Sequence, residues 1–331
     1  MRQTKKNIMI WGIFLLAFSL LIAGCGGEKE DDENALEKPE PLDTTSKKVV
    51  IKYDDEEITE GEFNLYLNIT LFTIPEAAFM LESPGVKEDI AKQYVAEKMI
   101  AKKVKDDKKF SEEADKMIAD FEKSVKEESK KPADIYKEHG FKKEDLKNFL
   151  INSAKVRDYF ESQIKEDDIK KEYEDSWEYY ELKVNHILIS IEDPEATDPD
   201  AKPLRTDEEA KKRAEEVKKK LEDGGDFEKL AKEYSDDPGS KDEGGLVEGL
   251  SSSFTPPFSQ AAIKLSKNEI SDPVKTDFGY HIIKLLEKKK QSYKDVKDDI
   301  KNRKVQEAYQ DFLENEVKAT ITLPKEKSSK K

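Results

Sequence analysis

Two β-like segments that lie far apart in the chain each carry one histidine, and they constrain the fold more than any other feature. His186 lies within Leu182–Ile191, and His281 lies within Gly279–Leu286. Alternate residues of a strand point to the same face, so each imidazole shares its face with aliphatic side chains. The pattern predicts two strands that each direct one imidazole into an apolar layer.

The N-terminus has the pattern of a secretory signal. Lys5 and Lys6 precede an apolar run from Ile8 to Ala23, which is short for a stable membrane span. Small residues then lead to Cys25, the only cysteine, so no intramolecular disulfide can form. We expect residues 1–24 to be a signal peptide, with an uncleaved anchor and an incidental cysteine as the alternative.

Two further segments are predicted to lack a fold of their own. Residues 25–47 are rich in Glu, Asp, Pro and Ser and have almost no large apolar side chains. Such a composition cannot bury enough apolar surface to fold, which predicts a flexible acidic tether. Residues 324–331 are basic and polar and are predicted to be a disordered tail.

The charge of the chain excludes one class of partner. Charged residues make up 40% of the sequence, and the formal net charge is −15. The leader carries three cations and no acid, so its removal makes the charge −18. Nucleic acid, whose phosphates favour basic patches, is therefore not an expected partner. The helical part carries no metal-ligand cluster or phosphate loop, and we expect neither a metal nor a cofactor.

The chain on either side of the histidine segments is predicted to be helical. Thr59 and Glu62 form a capping box, and apolar residues then recur at helical spacing as far as about residue 164. A long amphipathic helix follows the second histidine, from Tyr293 to Val317. A solitary terminal helix needs a partner face, which the N-terminal helices supply most simply.

The same arrangement pairs a C-terminal strand with an N-terminal one. Residues 320–323 alternate between polar and apolar side chains, and Val49–Ile51 is a short strand candidate. If these segments pair, residues 48–180, completed by 291–323, form one domain. Residues 181–290 are then inserted into it as a second domain.

The inserted segment carries a series of short motifs. In chain order they are VNHILI (184–189), DFEKLAKEYSDDPGS (226–240), GG (244–245), PPF (256–258) and TDFGYHII (276–283). In this order and spacing they resemble the parvulin-type peptidyl-prolyl isomerases. The wider layout resembles the PrsA-type foldase lipoproteins. The resemblance implies an α+β fold: a parvulin-like small antiparallel sheet with surrounding helices, inserted in a mainly helical, chaperone-like domain.

Site residues follow from the resemblance, position by position. It implies four catalytic residues: His186, Asp237, Thr276 and His281. It implies three substrate-binding residues around the proline ring: Leu246, Phe254 and Phe258. It also implies cleavage before Cys25 and attachment of a diacylglyceryl group to its sulfur. The alternative for the two histidines is a purely architectural role.

The residues after the double glycine depart from the family pattern. The family continues with an acidic residue, Leu, Gly and an aromatic residue, whereas Leu246–Leu250 reads LVEGL here. Phe254 stands where the family commonly has Met. The loop 192–205 lacks a basic cluster, so no preference for phosphorylated substrates is expected. The first two changes bear on the size of the pocket and on its turnover.

The expected function is that of a membrane-anchored foldase. Rotation about a peptide bond costs about 18–20 kcal/mol, and X-Pro bonds exchange slowly. The resemblance implies an isomerase that accelerates this exchange in unfolded or partly folded exported polypeptides. It would act on the extracytoplasmic face of a Gram-positive cell membrane. The alternative is a non-catalytic holdase that uses the parvulin fold to bind peptides. Whether the body forms a homodimer stays open.

Overall fold

The computed structural model describes residues 40–75, 77–81, 83–105, 108–194 and 202–324. These residues divide into two compact units. The first unit consists of the part up to Lys165 together with the part from Lys301, and the second is Glu166–Ile300. The predicted signal peptide, Cys25 with its lipidation, the tether up to residue 39 and the tail from residue 325 lie outside the described residues. Among the helices that are described, none is both long and apolar enough to span a bilayer.

The first unit is mainly helical, with a small sheet. Its strands are β1 (Val49–Tyr53), β2 (Glu56–Thr59) and β7 (Ala319–Ile321). Its helices are α1 (Glu60–Thr73), α2 (Ala77–Leu81), α3 (Val86–Lys103), α4 (Lys108–Glu127), α5 (Pro132–Glu138) and α6 (Lys143–Glu161). The long helix α11 (Tyr293–Asn315) begins in the second unit and continues into the first.

The sheet of the first unit joins the two ends of the described chain. Its strand order is β2-β1-β7, and both pairs are antiparallel. Ile51 lies opposite Ile58 on one side and Ile321 on the other. The predicted pairing of the C-terminal strand with Val49–Ile51 is therefore confirmed. The capping box of Thr59 and Glu62 is present at the start of α1, because each side chain bonds the other's backbone N–H.

The N-terminal helices and the C-terminal helix share one apolar core. Its buried members include Phe63, Leu67, Ile90, Val95, Phe160, Val305, Tyr309, Phe312 and Leu313. The predicted docking of the terminal helix onto the N-terminal helices is confirmed by these contacts.

The prediction of a flexible tether is wrong for residues 41–47, because α1 holds this segment. Asn68 accepts a hydrogen bond from the Leu42 backbone N–H at 2.8 Å, and Asn64 donates to the Asp43 carbonyl at 2.7 Å. The Gly61 N–H donates to the Ser46 carbonyl at 3.1 Å. A Cβ at Gly61 would lie 2.5 Å from the Thr44 carbonyl oxygen, so the close approach requires glycine. Composition alone does not reveal these contacts.

The second unit is an α+β fold around a four-stranded antiparallel sheet. Its strands are β3 (Tyr180–Ser190), β4 (Leu246–Leu250), β5 (Val274–Thr276) and β6 (Gly279–Lys290). Its helices are α7 (Glu166–Asp175), α8 (Asp207–Glu222), α9 (Phe227–Tyr234) and α10 (Pro256–Lys264). The strand order is β4-β3-β6-β5, so the two histidine strands are central neighbours.

Helices cover both faces of this sheet. Ile187, Ile189 and Ile282 pack with α8 and α9 on one face. Leu182, Val184, Ile283 and Leu285 pack with α10 on the other face. The fold class expected for the inserted domain is confirmed. Three elements were not predicted: the short strands β4 and β5 and the polar helix α7, which buries only Ile169.

Candidate active site

The register of β3 and β6 brings the two histidines together. His186 lies opposite Ile283, and His281 lies opposite Leu188. Residues directly opposite in an antiparallel pair share a face, so both imidazoles point to the α10 side. Their ring centroids are 5.5 Å apart, and each residue is only 6% exposed. The predicted arrangement of two imidazoles in one apolar layer is confirmed.

A continuous series of hydrogen bonds links four of the predicted site residues. His186 Nε2 lies 2.9 Å from Asp237 Oδ2, and the Nδ1 atoms of the two histidines are 3.3 Å apart. At the other end, His281 Nε2 lies 2.9 Å from the hydroxyl of Thr276. The structure thus brings together His186, Asp237, Thr276 and His281, although 95 residues separate the two histidines in sequence.

Asp237 is the charged end of this series. A hydrogen bond from His186, joined by bonds from the Ser240 hydroxyl and the Gly239 backbone N–H, holds the pKa of Asp237 well below its usual range. Partial burial opposes this shift but does not outweigh it. The carboxylate is therefore ionised at neutral pH and acts only as an acceptor.

His281 is the uncharged centre of the series. Burial, reinforced by the charge that His186 can carry, lowers the pKa of His281 from 6.5 to about 3. His281 is thus neutral under physiological conditions and donates through only one of its ring nitrogens. The Thr276 hydroxyl also accepts from the Phe278 backbone N–H at 3.2 Å, which fixes the threonine between strand and turn.

The donor directions follow from the partners. Because Asp237 can only accept, His186 donates to it through Nε2. In its neutral form His186 then accepts at Nδ1, so His281 donates from its own Nδ1. His281 Nε2 is left to accept from the hydroxyl of Thr276. Each polar atom of the series thereby has a matching partner, with one negative charge at one end.

Two phenylalanines form an aromatic wall beside the imidazoles. The ring of Phe258 packs edge-on against His186 at 5.6 Å and against His281 at 5.3 Å. Phe254 lies 5.2 Å from Phe258, and it is partly exposed. Both residues come from the segment around Pro256, where proline begins α10. The predicted aromatic pair therefore lies next to the histidines.

Leu246 does not lie on this side of the sheet. It pairs with Asn185, whereas the next residue, Val247, pairs with Val184. Alternation along β4 therefore places Val247 on the face of the aromatic pair, and Val247 packs against the same apolar cluster as Phe254. The expectation that Leu246 lines the pocket is therefore wrong, and Val247 lies at that place instead. The sequence did not predict strand β4, and its register with β3 decides which of the two residues faces inward.

The double glycine allows the turn before β4 to lie against His186. Gly244 and Gly245 both have positive φ, +69° and +77°. The Gly245 carbonyl accepts from the His186 N–H at 2.7 Å, and the side chain of Asn185 donates to the Gly244 carbonyl at 2.8 Å. A Cβ on Gly245 would lie 2.0 Å from the His186 carbonyl oxygen. The turn is therefore intact despite the altered residues that follow it.

Two serines support the site without having been predicted. Ser240 is 1% exposed and lies 3.0 Å from His186 Nε2, and it also donates to Asp237. Ser235 accepts from the backbone N–H groups of Leu188 and Asp237. Both belong to the motif at 226–240, but serine is common in turns and its presence alone does not distinguish a site residue.

Chemically, the arrangement combines a fixed negative charge, two buried rings and an apolar wall. It holds no group of three or more His, Cys, Asp or Glu side chains suited to a metal ion, as far as the described residues go. The Ser240 hydroxyl lies beside His186, but it is buried and faces the ring nitrogen that donates to Asp237, so it is not arranged as an activated nucleophile. Such a site suits a reaction in which no covalent bond breaks and in which a change of polarity is stabilised.

Comparisons with known proteins agree with this reading. Residues 168–289 match the PPIC-type PPIase domain family. The foldase protein PrsA of Clostridium botulinum is 35% identical over 270 residues, which cover 73% of this chain and 74% of that protein. The chain belongs to the PrsA foldase family. PrsA of Clostridium tetani is 32% identical over 338 residues, which cover 90% of this chain and 88% of that protein.

A solved structure of a relative also matches. The peptidyl-prolyl isomerase PrsA from Bacillus cereus is 29% identical, and the match covers 80% of this chain and 86% of that one with a TM-score of 0.47. As a PrsA family member with a PPIC-type domain, the chain is a peptidyl-prolyl cis-trans isomerase of the parvulin type.

Proposed function

We propose that this foldase is anchored by lipid to the extracytoplasmic face of the cell membrane. There it accelerates cis/trans isomerisation of X-Pro bonds in exported polypeptides. The observation that carries the catalytic part is the hydrogen-bonded series from Asp237 to Thr276, which lies against the ring of Phe258.

The chemistry assigns a task to each part of the site. The twisted amide has lost its resonance, so its carbonyl and nitrogen differ in polarity from those of the planar form. The apolar wall of Phe254, Phe258 and Val247 holds the proline ring. Asp237 provides a fixed charge beside the rotating amide and thus favours the twisted form over the planar one. His186 and His281 keep this charge in place and transfer no proton.

The location rests on the N-terminal sequence. Lys5 and Lys6, the apolar run and Cys25 together form the pattern of a cleaved lipoprotein signal. Two acyl chains on one cysteine hold a protein on a bilayer without a spanning helix. Replacement of Cys25 by Ser is expected to move the protein from the membrane fraction to the medium, and metabolic labelling with a fatty acid measures the modification directly.

The catalytic proposal is tested by a refolding reaction that is limited by proline isomerisation. The protein without its first 24 residues should increase the rate of the slow phase in proportion to its concentration. Equal rates with and without the protein, at concentrations that suppress aggregation of the client, would contradict the proposal.

Asp237→Ala separates catalysis from binding. We expect it to lower the rate enhancement by at least tenfold, because the fixed charge beside the amide is lost. Suppression of client aggregation should be unchanged, and the matched control Asp242→Ala, an exposed acid in the same loop, should alter neither property. If Asp237→Ala abolishes both activities together, a single binding surface serves both.

A second candidate function, holdase activity, is favoured by a feature of the first unit. Phe79 is 62% exposed on helix α2. A nearby pocket of about 180 Å³ is lined by apolar side chains that include Leu71, Phe72 and Pro75. An exposed aromatic residue beside an apolar pocket suits an apolar side chain of an unfolded polypeptide. Phe79→Ala should weaken aggregation suppression and leave peptide isomerisation unchanged.

A further inference from the structure

Ser240 is a buried side chain beside the charged carboxylate, and the catalytic proposal gives it no role. It is 1% exposed, and its hydroxyl donates to Asp237 Oδ2, the same oxygen that faces His186. Its own oxygen lies 3.0 Å from His186 Nε2. A single hydroxyl thus contacts both the Asp237 carboxylate and the His186 ring at the charged end of the site.

The backbone of Ser240 is fixed at the same time. Its carbonyl accepts from the Gly245 N–H at 2.8 Å and from the Glu243 N–H at 3.0 Å. Gly245 in turn bonds the His186 backbone through its carbonyl. Ser240 therefore connects the glycine turn to the carboxylate, and its hydroxyl has little freedom to point elsewhere.

The other donors to Asp237 do not make this hydroxyl redundant. The Gly239 N–H donates to Oδ1 at 3.1 Å, whereas, among the described residues, Oδ2 accepts from His186 and Ser240 only. Without Ser240, Oδ2 depends on one partner, and the carboxylate can rotate about its last bond. A charge-assisted hydrogen bond of this kind is among the stronger ones in proteins.

We propose that Ser240 is a positioning residue of the isomerase: it holds the Asp237 carboxylate in its orientation, and so acts on the substrate only through Asp237. The proposal rests on the catalytic role proposed for Asp237. It assigns a function to the serine at the end of the DPGS motif, and it predicts that the two residues are coupled.

A double-mutant cycle measures that coupling. In the otherwise unchanged protein, Ser240→Ala should lower kcat/KM for a proline-containing tetrapeptide about tenfold, as loss of a hydrogen bond to a charged group implies. In the Asp237→Ala background the same change should alter kcat/KM less than about twofold. Ser240→Cys, which keeps a similar shape and a weaker donor, should fall between Ser and Ala.

The matched control is Ser259→Ala. Ser259 is also fully buried, and its hydroxyl donates to the Ser251 carbonyl at 2.6 Å, with no contact to Asp237. It should affect stability without changing the ¹⁵N resonances of His186. Ser240→Ala should move the Nε2 resonance of His186, because Asp237 Oδ2 then loses the Ser240 donor and keeps the bond from that nitrogen. This spectroscopic change does not depend on turnover.

Three results would overturn the proposal. One is an equal loss of kcat/KM on Ser240→Ala in both backgrounds, which indicates a general structural role. Another is full activity of Ser240→Ala in a protein that Asp237→Ala inactivates. The third is a Ser240→Cys variant with unchanged kcat/KM and an unchanged His186 spectrum. This result decides the question if Ser240→Ala does not fold. If Asp237→Ala is itself fully active, the catalytic proposal fails instead.

Discussion

At the scale of single residues, the site is a set of buried polar groups whose partners match. Unpaired polar groups in an apolar layer are costly, and here each donor of the series from Thr276 to Asp237 meets an acceptor. Asp237 carries a negative charge at one end, and His281 in the middle is uncharged. Protonation of the central ring would place a second charge in the apolar layer, and this gives the site a defined dependence on pH.

His281 makes the second unit less stable in acid. Its pKa is about 3 in the folded protein, below the value of 6.5 expected for an unfolded chain. Between these values the unfolded state binds more protons, so stability falls as pH drops from 6.5 towards 3. The slope of the free energy of unfolding against pH should flatten in His281→Gln. Urea unfolding followed by fluorescence of Trp177, the only tryptophan after the leader, measures it.

The acid response has an internal control. His139→Gln, in the first unit, should leave the fluorescence transition of Trp177 unchanged across this range. Asp237 adds a separate loss only below about pH 4, because its pKa is lowered from 3.8 and its stabilising bonds vanish on protonation. An unchanged slope between pH 6.5 and 4 in His281→Gln would contradict the assignment of a neutral, buried ring.

At the scale of elements, the glycine turn before β4 sets the distance between the loop that carries Asp237 and the strand that carries His186. Its two glycines use left-handed backbone conformations, which side chains with a Cβ rarely adopt. The turn is joined to the strand by the backbone hydrogen bond from His186 to Gly245 and by the bond from the Asn185 side chain to Gly244. A small change of backbone here should therefore reach the site directly.

Gly245→Ala tests this point against a matched glycine. Gly224 also has positive φ, +90°, but a Cβ there meets nothing within 4 Å. Gly224→Ala should therefore cost only the left-handed conformation, about 1–2 kcal/mol in the free energy of unfolding. Gly245→Ala adds a collision with the His186 backbone. It should therefore lower the free energy of unfolding clearly more than Gly224→Ala does, and it should also lower kcat/KM. Equal losses of stability in urea titrations would show that the close approach has no energetic effect.

At the scale of the whole molecule, the two units carry buried acids and bases that respond to pH in opposite directions. In the first unit, Glu97 is a buried residue of α3, and it accepts a hydrogen bond from the Tyr66 hydroxyl at 2.7 Å. Burial raises the pKa of Glu97 from 4.5 to about 7, and the bond from Tyr66 offsets only part of this shift. The first unit thus contains a carboxyl that favours protonation, whereas the second contains an imidazole that opposes it.

Glu97→Gln should stabilise the first unit at neutral and alkaline pH. The folded state binds the proton of Glu97 more tightly than the unfolded state, so stability falls as pH rises from 4.5 through 7. Glutamine keeps an acceptor for Tyr66 without the charge. At pH 8 we expect a gain on the order of 3 kcal/mol, and almost none at pH 4.5.

Hydrogen exchange in Val86–Lys103, corrected for the intrinsic pH dependence, measures this gain in the first unit alone. Glu88→Gln, an exposed substitution on the same helix, is the matched control and should leave the exchange rates unchanged. Equal protection of Glu97→Gln and the unchanged protein at pH 8 would contradict a buried, proton-binding carboxyl.

How much of the fold and of the site can be predicted depends on how local the physical cause is. The capping boxes at Thr59 and Thr206, the proline start of α10 and the alternation of the histidine strands arise within a few residues. The same patterns identify His186, Asp237, Thr276 and His281, through their resemblance to a known family. Contacts that depend on a second segment were not predicted. These are the inward position of Val247, the hydrogen bond from Ser240 to Asp237 and the hydrogen bonds between α1 and residues 41–47.

The amino-acid order by itself thus determined where the capped helices α1, α8 and α10 begin and which face the two histidine strands bury, because these depend on neighbours along the chain. The resemblance to a known family identified the side chains that carry the chemistry. Only the tertiary structure decided that Val247 rather than Leu246 faces the aromatic pair, that a serine contacts the charged carboxylate, and that Gly245 touches a strand backbone. Strand register and close approach are set by packing between distant segments, and no local pattern contains that information.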